Sequence, residues 1–193
     1  HPDLTLDISF NDRRVDLVQE GIDVAVRMGE LDNSAGLTAR RLCVQRSAIC
    51  AAAAYLDRHG RPRTTDDLDG HSLIVYGRDG FVTPWLIGDG EGRLKAYAPR
   101  GRIVLGHGEP MLDAVLGGCG IAFLPTWLIA EALASGRLER VLSLDLVETA
   151  PIHAIWPTTR TLAPKIRFTV DELVDRFSPP AWESTDLGDG NIR

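Results

Sequence analysis

Apolar and polar residues alternate without a fault over residues 4–10, Leu-Thr-Leu-Asp-Ile-Ser-Phe, and this period of two predicts a strand with one buried face. Asn11 and Asp12 then offer caps to a short helix over 12–20 carrying Val15, Leu17 and Val18, with Gly21 where a helix would end. A second strand over 22–28 follows at once. Strand, helix and strand make a βαβ-like unit, which implies parallel pairing with a right-handed crossover. After the loop 29–34, residues 37–44 read as extended and 47–52 as a buried strand, and 53–59 turn helical. The polar, Pro- and Gly-punctuated run 60–70 carries one capped helical turn and is a place for a lobe boundary.

The next stretch is rich in strands: 72–76, 81–87, 93–98 and 102–105, with a glycine-rich turn at 88–92. A short apolar helix follows the loop Gly106-His107-Gly108-Glu109-Pro110, and Gly117-Gly118-Cys119-Gly120 turns into a buried strand, 121–125, that stops at Pro125. A helix over 126–135 closes at Gly136, and 152–156 is a strand. Pro164 then starts a helix whose apolar positions Ile166, Val170, Leu173, Val174 and Phe177 share one face. The tail 178–193 mixes prolines, glycines and acidic residues without periodicity and is expected to be mobile.

Composition narrows the function. The chain has 193 residues, 44% hydrophobic and 25% charged, and no apolar run approaches the roughly 20 residues that cross a bilayer. A net charge of −6 argues against a dedicated nucleic-acid surface, because phosphate binding needs clustered Lys and Arg. Cys43, Cys50 and Cys119 are an odd number without CxxC spacing, in apolar contexts, and read as buried free thiols in a reducing compartment. The chain opens on His1 with no signal-peptide pattern, and so reads as a fragment.

No GxSxG elbow, P-loop or paired metal-ligand spacing is present, and His1, His59, His71, His107 and His153 are scattered. Neither a metal nor a cofactor is implied, and catalysis is the weaker reading. Binding is the stronger one at Gly106, His107, Gly108, Glu109 and Pro110. A helix N-terminus presents unpaired N–H groups and a positive dipole end, and glycines before it admit a ligand close to the backbone. Self-capping by Glu109 is the plain alternative. Helix and strand would aim loops 106–111 and 124–127 at one edge of a sheet, the carboxyl edge where ligands lie in open α/β sheets. Trp85, Trp127, Trp156 and Tyr76 could line such a cleft, although core packing is the commoner role. Arg13, Arg14, Arg27, Arg40 and Arg41 could meet a carboxylate, against the default of solvated or ion-paired surface.

Several stretches in this order resemble the effector-binding domain of LysR-type transcriptional regulators: HPDLTLDI at 1–8, DRRVDLVQEGIDVAVRMG at 12–29, AYL at 54–56, GGCGIAFLP at 117–125 and GRL at 136–138. The match runs over residues 1 to about 177.

The resemblance implies an α/β, two-lobed fold of the type 2 periplasmic-binding-protein-like kind, with two crossover strands and a ligand cleft between the lobes. Lobe I would take residues 1–51 and 154–177 and lobe II residues 52–153, with crossovers near 49–52 and 152–156. It further implies a cytoplasmic homodimer or tetramer with no membrane contact. A small-molecule effector would act on DNA only through an N-terminal winged helix-turn-helix, with RNA polymerase as a further contact. The family's ligand positions map onto Phe10, Asn11 and Asp12, onto Gly29 and Glu30, onto Gly106 to Pro110, and onto Leu124, Pro125 and Thr126. Family members carry one more strand and helix before the position of His1, and here Glu30, His107 and Glu109 bring charge that a plain anion would not favour. Amine-bearing, neutral and metal-linked effectors therefore stay open. A transporter's solute-binding receptor on the same fold is the alternative. A small two-lobed enzyme and a thiol sensor pairing Cys119 with Cys43 or Cys50 are weaker still.

Overall fold

The computed structural model describes residues 4–11, 15–31, 36–88, 91, 93–142, 147, 149–160 and 163–178. The chain forms two compact units, the first gathering the described residues up to Val44 and from Ala150 onward, the second Gln45–Thr149. It passes between them twice, inside one long strand and at the start of another. Residues 60–70 lie wholly within the second unit.

In the first unit, strand β1 (Ala25–Met28) pairs antiparallel with a late strand, Thr149–Pro157, which lies beside the long strand Leu37–Ala52. The expected βαβ unit does not form, since the described partner of β1 is antiparallel. Residues 4–10 form no strand. Of their apolar positions Leu4 is half-buried, and the others face solvent, with Leu6 62%, Ile8 64% and Phe10 92% exposed. Alternation marks the face a strand would bury, but a lone strand leaves its N–H and C=O groups without a ladder. Residues 15–20, expected to be helical, form no helix either. Asp16 accepts the N–H groups of Val18 and Gln19 and begins a single turn, closed where Gly21 takes φ +69° and the Ile22 N–H donates to the Leu17 carbonyl. Asp12, Arg13, Arg14 and the tail 179–193 lie outside the described residues.

The second unit begins within β2 (Leu37–Ala52), which is followed by α1 (Ala53–His59), β3 (Leu73–Arg78), β4 (Phe81–Val82), β5 (Trp85–Gly88), β6 (Leu94–Tyr97) and β7 (Ile103–Leu105). Helix α2 (Gly108–Leu116), β8 (Ile121–Pro125), α3 (Thr126–Ala134) and β9 (Leu138–Arg140) complete it. β10 (Thr149–Pro157) and α4 (Pro164–Arg176) return the chain to the first unit. There Ile166 and Val170 of α4 are buried, as their spacing required.

β2 runs unbroken for 16 residues where the sequence suggested a break at 45–46. The expected strand 81–87 instead divides into β4 and β5 around Thr83 and Pro84, since proline has no N–H for a ladder. β3 pairs parallel with β7 on one side and with β8 on the other, and β8 pairs antiparallel with β2. Parallel neighbours covered by helices are buried on both faces. Leu73, Ile74, Val75, Ile121 and Ala122 are accordingly 0–2% exposed. Cys50 is fully buried, and burial pushes its thiol up to about 12, so it is inert at neutral pH. Cys43 is also buried, but Cys119, expected buried, is exposed, because the turn that ends α2 lies on the surface.

Beside α1, the Ser72 N–H donates to the Tyr55 hydroxyl oxygen (3.0 Å), leaving the Tyr55 proton for His71 Nδ1 at 3.2 Å. Burial, and then the charge of His59, hold His71 below the ordinary histidine pKa. The unfolded chain therefore takes up this proton at a higher pH than the folded chain does. Stability present at neutral pH is lost as the pH falls below about 6.5. Urea midpoints measured at pH 7.5 and 5.5 should show this drop, and His71→Gln should shrink it.

Candidate functional site

β3, β7 and β8 run parallel, so their carboxyl ends share one edge of the second unit. The registers Tyr76↔Leu105 and Ile74↔Ala122 carry the chain to that edge at Gly77, Gly106 and Leu124–Pro125 alike. Two helices start there. α2 begins after His107, whose backbone is extended and supplies no side-chain cap, and α3 begins directly after Pro125, again without one. By helix geometry the first-turn N–H groups have no partner inside the helix, and each start is the positive end of a dipole.

The two starts pack together. A Cβ on Gly108 would come within 3.0 Å of Leu128 Cδ2, and one on Gly106 would lie 3.7 Å from the Gly77 carbonyl oxygen. Glycine at both positions leaves backbone, not side chain, on this surface. Glu109 is exposed in the first turn of α2, and Pro110 beside it has no N–H to give. Leu124 is buried at 1% exposure and Pro125 half-buried. Thr126 is 8% exposed and its hydroxyl donates to the Arg46 carbonyl (3.2 Å), so its own proton is committed to the fold.

The structure thus brings Gly106, His107, Gly108, Glu109, Pro110, Leu124, Pro125 and Thr126 to one edge. Phe10, Asn11, Gly29 and Glu30 belong to the first unit. There the Gly29 N–H donates to the Pro151 carbonyl (2.9 Å) with φ +95°, while Phe10, Asn11 and Glu30 are exposed. Asp12 lies outside the described residues. Of the arginines that could meet a carboxylate, Arg27 donates to the Val15 carbonyl and Arg40 lies 3.6 Å from Asp171. Trp85 and Trp156 are core residues at 3% and 8% exposure. His153 Nδ1 and Trp156 Nε1 are buried without a hydrogen-bond partner, but residues three apart on a strand face opposite ways and cannot serve one ligand.

Sequence reasoning missed Gln45. It fell between the extended segments 37–44 and 47–52, yet Gln45 is 9% exposed and its Oε1 accepts the Trp127 indole N–H at 2.9 Å. Among the described residues no group of three or more His, Cys, Asp or Glu could hold a metal ion. The chemistry on offer at this edge is hydrogen-bond donation from backbone.

A family model for the LysR substrate binding domain matches residues 1–178. The chain belongs to that family. This LysR domain is 30% identical over 178 residues to the HTH-type transcriptional regulator CrgA of Neisseria meningitidis, covering 92% of the chain and 58% of that relative. It therefore spans a little over half the length of the curated relative. Among solved structures it matches the CrgA regulatory domain at 29% identity, with a TM-score of 0.75 over 86% of this chain and 80% of that one. It also matches the effector domain of the Pseudomonas aeruginosa regulator AmpR at 26% identity, with a TM-score of 0.75, over 95% and 86% of the two chains. The mixed α/β fold is that of LysR regulatory domains. The relatives are named as transcriptional regulators, which favours a regulatory domain over a transporter's receptor. No helix of the described residues is long and apolar enough to cross a membrane.

Proposed function

We propose that this LysR domain is the effector-sensing and oligomerising part of a cytoplasmic transcriptional regulator and is not itself an enzyme. Its effector is a small molecule held by Gly106 to Pro110 and Leu124 to Thr126, together with Phe10, Asn11, Asp12, Gly29 and Glu30. Residues 1–51 with 154–177 make one lobe and 52–153 the other. The domain works as a homodimer or tetramer and reaches DNA through a winged helix-turn-helix outside the matched region. What carries the reading is the pair of helix starts without side-chain caps at one sheet edge, packed where Gly108 meets Leu128. Placed donors without a reactive group suit recognition.

Glu109 sets the preferred charge. Its carboxylate already occupies the positive end of α2, so amine-bearing and neutral molecules come ahead of plain anions. A thermal-shift screen of small metabolites tests the reading. A true effector at 100 times its Kd contributes about 2.7 kcal/mol, which raises the melting temperature by roughly 5–10 °C in a chain of this size. A broad screen without a shift refutes it. Glu109→Gln should weaken binding of an amine-bearing effector about 2- to 5-fold and strengthen that of an anion, read by calorimetric titration.

A further inference from the structure

Gln45 and Thr126 are the two buried polar side chains among the described residues, and both are spent at the same junction. The backbone ladder between β2 and β8 ends at Ser47↔Pro125, where the chain turns into α3. Continued in register, it would set Arg46 opposite Thr126 and Gln45 opposite Trp127. Those are the pairs joined by the two side-chain hydrogen bonds, Thr126 to the Arg46 carbonyl at 3.2 Å and the Trp127 indole to Gln45 at 2.9 Å. Side chains take over the rungs that the backbone gives up on becoming helical.

We infer that Gln45 and Trp127 are positioning residues for the site at the carboxyl edge. By extending the strand register two residues into α3, they fix the direction in which its first-turn N–H groups point. Neither touches the effector through this bond. Gln45 is 9% exposed and Trp127 39%, so removing the indole donor leaves the Gln45 oxygen buried and unpaired, while removing the acceptor releases the hold on Trp127. Gln45 is also the first residue of the second unit, so the same bond pins β2 where the chain enters that unit. The inference rests on the effector reading for its purpose, but its test does not depend on a known effector.

Amide exchange by NMR on the whole chain tests it, using Gln45→Met, which keeps the bulk and loses the acceptor, Trp127→Phe, and Gln45→Glu, whose carboxyl oxygen still accepts. The probes are the amides of Ile129 and Ala130, whose helical partners are the carbonyls of Pro125 and Thr126. Exchange there should rise about 5- to 10-fold in Gln45→Met and Trp127→Phe, the range for one lost hydrogen bond, and return toward wild type in Gln45→Glu. Val115 in α2 should not change. Any binder found by the thermal screen should lose affinity in Gln45→Met and regain it in Gln45→Glu. Unchanged exchange in Gln45→Met, no recovery in Gln45→Glu, or an equal rise at Val115 overturns the inference. A screen without binders, with exchange behaving as expected, counts against the effector reading alone.

Discussion

Gly120→Ala is expected to destabilise the chain by about 2–4 kcal/mol, because the added methyl has no room and its neighbours cannot yield. A Cβ at Gly120 would sit 2.3 Å from the Ser72 carbonyl oxygen and 2.9 Å from its carbonyl carbon, both backbone atoms. That carbonyl accepts the Ile121 N–H at 2.9 Å, the contact that seats β8 beside β3. Relieving the clash means stretching this bond and the Leu73↔Ile121 pairing next to it. The effect should reach the candidate site as well, since β8 delivers Leu124 and Pro125 to it. Gly70→Ala is the control, with nothing within 4 Å of the added atom and no positive φ. Urea unfolding of the two variants should separate them clearly, and equal midpoints would show that Ser72 can move freely.

Ile74→Ala should cost a similar amount, about 3–4 kcal/mol, by a different route. Ile74 is fully buried and is the one residue of β3 paired with both β7 and β8, so neighbours on each side are held by ladders and cannot close over a cavity. Val104→Ala, in the adjacent strand but with Val104 51% exposed, should change stability by less than about 1 kcal/mol. Denaturant midpoints decide between them. Comparable losses would mean that the centre of this sheet repacks readily.

Much of the second unit was legible because its signals are local. α1 spans the residues its sequence suggested, Gly136 closes the turn after α3 with φ +70°, and β8 stops at Pro125. The loop 106–110 could be read as a helix entrance because glycine on either side of His107 has few other uses. The first unit was less legible. Residues 4–10 have a perfect alternation and no strand, since alternation is a property of the segment and pairing is a property of its neighbours. Gln45 failed in the opposite sense. It fell in the gap between two expected extended segments, and only the indole of Trp127, 82 positions away in the chain, gives its buried amide a partner.

The sequence by itself determined the family, the glycine-shaped helix entrances and most element boundaries of the second unit, because caps, breakers and periodicity act over a few residues. Tertiary structure decided which strands found partners and in which direction. It also decided that Thr126 turns its hydroxyl into the fold and that the two helix starts meet at Gly108 and Leu128. Those outcomes depend on groups far apart in the chain competing for the same hydrogen bonds and the same space, and no local pattern records who wins.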